Sequence, residues 1–194
     1  MVSWEQLEGA CAACRRCGLC ETRRNVVIGD GARESRILFI GEGPGEQEDL
    51  QGRAFVGPAG QLLDRMLACI GLDRGQVYIA NVVKCRPPRN RDPLPEEQAA
   101  CLPYLRAQVR LIRPQVIVCL GRIAAQAVIR PDFRITREHG QWVERKGYWL
   151  TATYHPSALL RDPSKKRDAY EDLKKLKSKL EELGIPPAPH REDT

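Results

Sequence analysis

The chain has 194 residues, of which 42% are apolar, with a mean hydropathy of −0.42, a formal net charge of +6 and a pI of about 9.0. One domain with a single sizeable core is expected from that length. No run approaches the ~18 apolar residues that span a membrane. The opening MVSWEQLEGA has no apolar signal segment, so a cytoplasmic protein with no membrane partner is expected, basic enough to suit a polyanion.

Eight cysteines without a secretion signal argue for metal or cluster binding rather than a disulfide scaffold. Cys11, Cys14, Cys17 and Cys20 come first, as three successive C-x2-C pairs whose spacing alone cannot choose a register. A ferredoxin-like site would use all four, but the last gap is two residues rather than three and no proline follows. The first strand is predicted at Ile37–Ile40 and leads into GEGPGEQED (41–49). That loop lacks both the third glycine spacing of a dinucleotide fingerprint and the Lys-Ser/Thr of a P-loop. Its acids would repel phosphate, which leaves either a tight turn with solvated carboxylates or one wall of a small pocket.

A helix follows over Leu62, Leu63, Met66, Leu67 and Ile70, stopped by Gly71. The second strand, Val77–Ala80, ends at Asn81 and leads to Cys85 and the loop RPPRNRDPLP (86–95). Pro95, Glu96 and Glu97 start a helix whose apolar face continues through Leu102, Leu105, Val109 and Ile112, with Pro103 expected to bend or restart it. Strand Val116–Leu120 and a short helix over 121–129 come next. A hairpin is expected around Phe133–Trp142 and Trp149–Tyr154, with the fourth strand at Trp149–Ala152. YHPSALLRDP (154–163) precedes a last amphipathic helix at about 164–183. Residues 1–185 are read as one domain and 186–194 as a disordered tail.

Strand–helix alternation predicts a three-layer α/β/α sandwich on a central four-stranded, mainly parallel sheet. Ligands of such sheets sit beyond the carboxyl ends of the strands. The loops at 41–49, 81–88 and 154–160 all leave such ends. Asn81 offers both donors and an acceptor, which pair with the edge of uracil and mismatch cytosine, although a lone strand-end Asn also caps turns. Phe55, in GRAFVGPAG, is either core or a platform on which a base stacks. Among His139, His155 and His190, only His155 stands between a strand end and a short helical turn.

Taken together, C-x2-C-x-L (14–19), VVIGDG (26–31), GEGPGEQEDLQGRAFVGPAGQLLDRML (41–67), YIANVVKCRPPRNRDPLP (78–95), Cys101 and YHPSALLRDPS (154–164) resemble the family 4 uracil-DNA glycosylases, the iron–sulfur branch of their superfamily. The resemblance runs from about Cys14 to Leu176. It implies a DNA repair enzyme that flips uracil out of single- or double-stranded DNA. Hydrolysis of the glycosidic bond without a lyase step is expected, because no lysine is placed for Schiff-base attack in these motifs. Carried over by position, Phe55 stacks on uracil, Asn81 reads its edge and Gly43 gives a backbone contact. Glu42 lines the pocket near C5, His155 hydrogen-bonds the departing base, and Glu48 orients or activates water. Arg86, Arg89, Asn90 and Arg91 face DNA. The loop after His155 supplies a wedge at Leu160 and a phosphate contact at Arg161; in the bland alternative Leu159 and Leu160 are both core.

The same resemblance selects Cys14, Cys17, Cys85 and Cys101 as ligands of one 4Fe–4S cluster, zinc being the alternative for an all-cysteine set. Cys11 and Cys20 stay unexplained, and Cys69 and Cys119 are expected to be core thiols. A monomer is expected, with a sliding clamp as a candidate protein partner. An iron–sulfur redox protein or a non-catalytic DNA-binding module are the rival readings. The basic loop after Cys85 contains no histidine, which sets the chain apart from the crosslinking branch.

Overall fold

The computed structural model describes residues 3–185, so the tail expected at 186–194 lies outside the described residues. In chain order the elements are α1 (Trp4–Ala12), β1 (Asp30–Gly31), β2 (Ile37–Gly41), α2 (Glu46–Gln51), α3 (Pro58–Ala68), β3 (Tyr78–Asn81) and α4 (Pro95–Ile112). They continue with β4 (Val116–Leu120), α5 (Arg122–Val128), α6 (Ile135–Glu138), β5 (Val143–Arg145), β6 (Tyr148–Thr153), α7 (Pro156–Arg161) and α8 (Lys166–Glu182).

The four apolar runs form the parallel centre of the sheet, in the order β3-β2-β4-β6. The sheet has six strands rather than four, because β1 and β5 add antiparallel edges to β3 and β6. Both additions are short and largely exposed, so they carry no apolar run from which to read them. The expected hairpin is also shifted. Its first arm is Val143–Arg145, and Phe133–Trp142 instead contains α6. Lys146 and Gly147, both with positive φ, make the two-residue turn whose twist suits adjoining strands. α4 runs unbroken through Pro103, against the expectation of a bend or restart. The face bearing Leu102, Leu105, Val109 and Ile112 packs along its whole length, offsetting the one hydrogen bond that proline forfeits.

Alternating side chains of the strands feed two cores. Ile37, Phe39, Val116 and Val118 meet Leu63 and Leu67 of α3 and Leu173, Leu176 and Leu180 of α8. Leu38, Ile40, Ile117 and Cys119 meet Leu105 and Ile112 of α4 and Ala124 and Ala125 of α5. The result is the three-layer sandwich, with α3 and α5 diverging to opposite faces from the ends of neighbouring strands β2 and β4. A crevice opens at such a point. Cys119 is buried in β4 as expected, whereas Cys69 is exposed at the end of α3, on the side away from its apolar stripe.

One carboxylate adds a polar tie between α8 and the sheet. Asp172 is buried and accepts from the Thr153 hydroxyl (2.7 Å), while His139 Nδ1 lies 2.9 Å from both of its oxygens. Asp172→Ala should therefore cost about 1–3 kcal/mol by leaving a buried hydroxyl unpaired. Urea denaturation checks this, and an unchanged midpoint would refute it.

Candidate active site

The carboxyl ends of β2, β3 and β6 open into a cleft of about 800 Å³, within the range of small-molecule and base pockets. Glu42, Gly43, Glu48, Phe55, Asn81, Asn90, Arg91, His155 and Leu160 all line it, so residues far apart in sequence meet there. Arg86, Arg89 and Arg161 stand outside its lining.

Asn81 ends β3 and is 1% exposed, yet its Oδ1 has no hydrogen-bond partner among the described residues. A buried amide oxygen left open in a cleft wall is costly unless something else fills it. Its main-chain carbonyl accepts from Lys84 Nζ (2.7 Å), which also donates to Gln108 Oε1 (2.5 Å). Gly41 pairs with Asn81 across β2 and β3. A Cβ at Gly41 would lie 2.5 Å from Asn81 Oδ1 and 2.6 Å from Phe55 Cζ, so only glycine lets the amide and the ring converge.

Phe55 is 5% exposed and adopts the left-handed region, with φ of 54°. A side chain in that region costs on the order of 1–2 kcal/mol, so the surroundings must hold it. Arg74 does so from one side, donating to the carbonyls of Ala54 (3.0 Å) and Phe55. Glu48 does so from the other. Its Oε1 accepts from the N–H groups of Val56 (2.8 Å) and Gly57 (2.7 Å), and its Oε2 from Gly45 (3.1 Å). One carboxylate thus clips the Phe55 loop to the start of α2 and keeps one Oε2 lone pair for the cleft. The Phe55 ring sits 5.6 Å from the His155 ring, tilted by 35°.

His155 caps α7. Its Nδ1 accepts from Ser157 N–H (3.1 Å) and lies 2.7 Å from Ser157 Oγ. That engagement leaves the proton of the neutral ring on Nε2, as a donor. Burial, helped by the nearby Arg161 cation, pushes the imidazole down to about 4. The ring is therefore neutral above that pH. Gly121, at φ +87° just after β4, leaves room for the His155 side chain; a Cβ there would lie 2.8 Å from His155 Cβ. Glu42 moves the other way. Burial first, then Asp92, pushes its carboxyl up to about 7 against the pull of Arg122 and Arg161.

The arginine loop is only partly available. Arg91 makes a two-pronged pair with buried Glu97 (2.8 and 2.7 Å), which also caps α4 through Leu94 N–H. Arg86 donates to Asn90 Oδ1 (2.8 Å) and lies 3.7 Å from Glu46. Among the described residues no ion pair involves Arg89 or Arg161, and both are exposed. Leu159 is core at 2% exposure, whereas Leu160 is 43% exposed among the cleft-lining residues, so the core reading holds for Leu159 and not for Leu160.

Behind Asn81 lies a second, thiol-lined cavity. Cys11, Cys14, Cys17, Cys20, Cys85 and Cys101 surround it with Lys84, Arg23 and Tyr104. Arg23 donates to Cys85 Sγ and Lys84 N–H to Cys101 Sγ, each at 3.2 Å. Among the described residues no three His, Cys, Asp or Glu side chains converge as ligands of one ion. A single zinc draws four donors to within about 2.3 Å of one centre. A cluster takes one thiolate on each of several irons, and the thiols of this lining are a donor set of that chemistry.

Sequence reasoning missed Gly41, Arg74, Lys84, Gly121 and Ser157. Ser157 carried a signal, being a hydroxyl residue two places after His155, where it closes a local turn. Lys84 carried another, as a charge inside the otherwise apolar run NVVKC.

The family pattern described as the uracil DNA glycosylase superfamily matches residues 28–174. The chain is 47% identical over 184 residues to the type-4 uracil-DNA glycosylase of Archaeoglobus fulgidus, covering 91% of this chain and 92% of that protein. It is 47% identical to the type-4 enzyme of Thermotoga maritima, over 88% of this chain and 91% of that one. With the type-4 enzyme of Sulfurisphaera tokodaii it shares 42% identity over 96% of this chain and 87% of the relative.

Glu48→Ala should orphan the amides of Gly45, Val56 and Gly57 and cost about 1.5–3 kcal/mol, the scale of hydrogen bonds to a charged group. Hydrogen exchange should quicken at 55–57 while the cores stay protected. Unaltered exchange in that loop would remove the clip from the account.

Proposed function

The chain belongs to the uracil-DNA glycosylase superfamily and, within it, to the type-4 enzymes, and we propose that it flips uracil from DNA and hydrolyses the glycosidic bond to leave an abasic site. Excision of uracil for DNA repair is the activity of this family. The observation that carries the finer reading is the open Asn81 Oδ1, buried in the cleft wall beside Phe55 and His155. A uracil N3–H fills that acceptor and the amide donor meets O4, whereas cytosine presents the reverse pattern.

In this reading the flipped base stacks on Phe55 and takes a backbone contact at Gly43. Glu42 stands near C5, where a thymine methyl must be refused. As the bond breaks, negative charge grows on uracil and positive charge on the sugar. His155 donates from Nε2 to the departing base, a neutral donor aimed where anionic charge develops, usually the largest catalytic contribution. Glu48 holds the attacking water through its remaining Oε2 lone pair. Lys84 is sequestered against Asn81 O and Gln108, which argues against its attacking the sugar and supports a monofunctional enzyme.

Cys14, Cys17, Cys85 and Cys101 hold a 4Fe–4S cluster in the thiol-lined cavity. When bound, it supplies a structural cross-link between the N-terminal segment and the arginine loop. Arg23 and the Lys84 amide stabilise its thiolates.

His155→Ala should lower excision from a uracil-containing oligonucleotide by on the order of 10²–10³. Abasic-site cleavage of the product checks it. Because His155 is neutral above about 4, the loss should be the same from pH 5 to 8. Wild-type rates in this variant would refute the donor role.

Leu160 is proposed as the wedge that fills the gap left in the stack, with Arg161 and Arg89 on flanking phosphates. Leu160→Ala should weaken excision from duplexes roughly tenfold more than from single strands, the unstacking cost being roughly a few kcal/mol. Equal losses on both substrates would overturn the assignment.

A further inference from the structure

The thiol-lined cavity holds six cysteines, two more than the four that one 4Fe–4S cluster takes. We propose that Cys11 is a reserve ligand of the cluster, which takes over the iron held by Cys14 when that bond is lost. The inference rests on the cluster reading above.

Cys11 lies in the last turn of α1 and is 1% exposed. Cys14 follows three residues later, its N–H donating to Cys11 O (3.2 Å), so the chain turns there and presents both thiols to the same cavity. Of the four N-terminal cysteines that line the cavity, Cys11 is buried, whereas Cys14, Cys17 and Cys20 are half-buried. Cys11 therefore occupies the deep side of the cavity. Its setting differs from that of a packing thiol. Cys119, 0% exposed in β4, packs within the apolar core, whereas Cys11 lines a cavity shared with five other thiols and the buried Lys84 side chain.

Cys14 is the ligand most readily replaced. Cys85 and Cys101 are buried and receive N–H bonds from Arg23 and Lys84, while Cys14 is half-buried on the turn after α1. In the exchange the iron–sulfur bond to Cys14 breaks and that thiolate takes up a proton. Cys11 gives up its proton and forms the new bond. One proton moves from Cys11 to Cys14, and no iron changes oxidation state.

The test compares iron and acid-labile sulfide per chain in anaerobically purified wild type, Cys11→Ala, Cys14→Ala and the double variant, with the electron paramagnetic resonance of the reduced proteins. Wild type and Cys11→Ala should hold about four irons with the same spectrum. Cys14→Ala should keep its iron with a shifted spectrum, and the double variant should lose it roughly tenfold or more. If Cys14→Ala loses iron as completely as the double variant, the reserve role falls while the cluster in the wild type still stands. If Cys11→Ala alone strips the iron, Cys11 is a primary ligand and the reserve role also falls. Zinc without sulfide in the wild type would remove the cluster reading and this one with it. Cys14→Ser, closer in size, repeats the comparison should Cys14→Ala not accumulate.

Discussion

A single ammonium, wholly inside the protein, ties the two functional cavities together. Lys84 is 1% exposed, and taking such a charge out of water costs several kcal/mol. Burial pushes it down to about 8, and the thiols of Cys101, Cys11 and Cys85 pull it back toward the charged form. Its proton donors go to Asn81 O and Gln108 Oε1, and Gln108 in turn donates to Ile28 O (2.9 Å). Asn81, the proposed reader of the base, is thereby fixed, through three positions of chain, to a residue in the wall of the thiol-lined cavity. Residues 81–85 are all buried, so this stretch moves as one piece or not at all.

Glu48 performs the matching task on the opposite wall. Phe55 stands in a backbone conformation that an aromatic residue rarely adopts, and Glu48 and Arg74 supply the bonds that keep it there. The strain is spent on position: the ring must meet the amide of Asn81 across Gly41, whose missing Cβ leaves the space. On the proposed reading, a pocket built this way is formed before a base arrives, with the Asn81 oxygen open to it. Such preorganisation lets a polar wall act on developing charge without reorganising at the moment of reaction.

The parts of this arrangement that were legible in the sequence are those with a local pattern. Continuous runs such as Val116–Leu120 announce strands covered on both faces, and acids, glycines and a histidine just past such runs announce a site. What was illegible depends on tertiary partners. The two-residue β1 has no periodicity to detect, and the tolerance of Pro103 within α4 follows from packing that its own sequence does not state. Leu159 and Leu160 are chemically the same, and only the turn of α7 buries one and presents the other. The arginines of 86–91 read as one basic loop, yet Glu97 engages Arg91 from the next helix. The evenly spaced cysteines at 11–20 offer several registers, and their common cavity appears only when α1 folds back against α4.

The opposed shifts of His155 and Glu42 follow from one cause, burial, acting on groups of opposite charge. Burial keeps the imidazole neutral, and Ser157 then decides which nitrogen carries the proton. For a leaving group that departs as an anion, a neutral donor strengthens its bond as the charge appears and does not bind the ground state as a salt bridge would. On the proposed reading, Glu42, pushed up to about 7, has a complementary consequence: below that pH it adds no negative charge where the anion would form. Asp92, Arg122 and Arg161 set this balance from the cleft rim, with Arg122 pairing Asp92 at 2.5 Å. Phosphates drawn to Arg161 would weaken its pull on Glu42 and its opposition to a charged His155. On the proposed reading, docking of DNA would act directly on the charges that face the departing base.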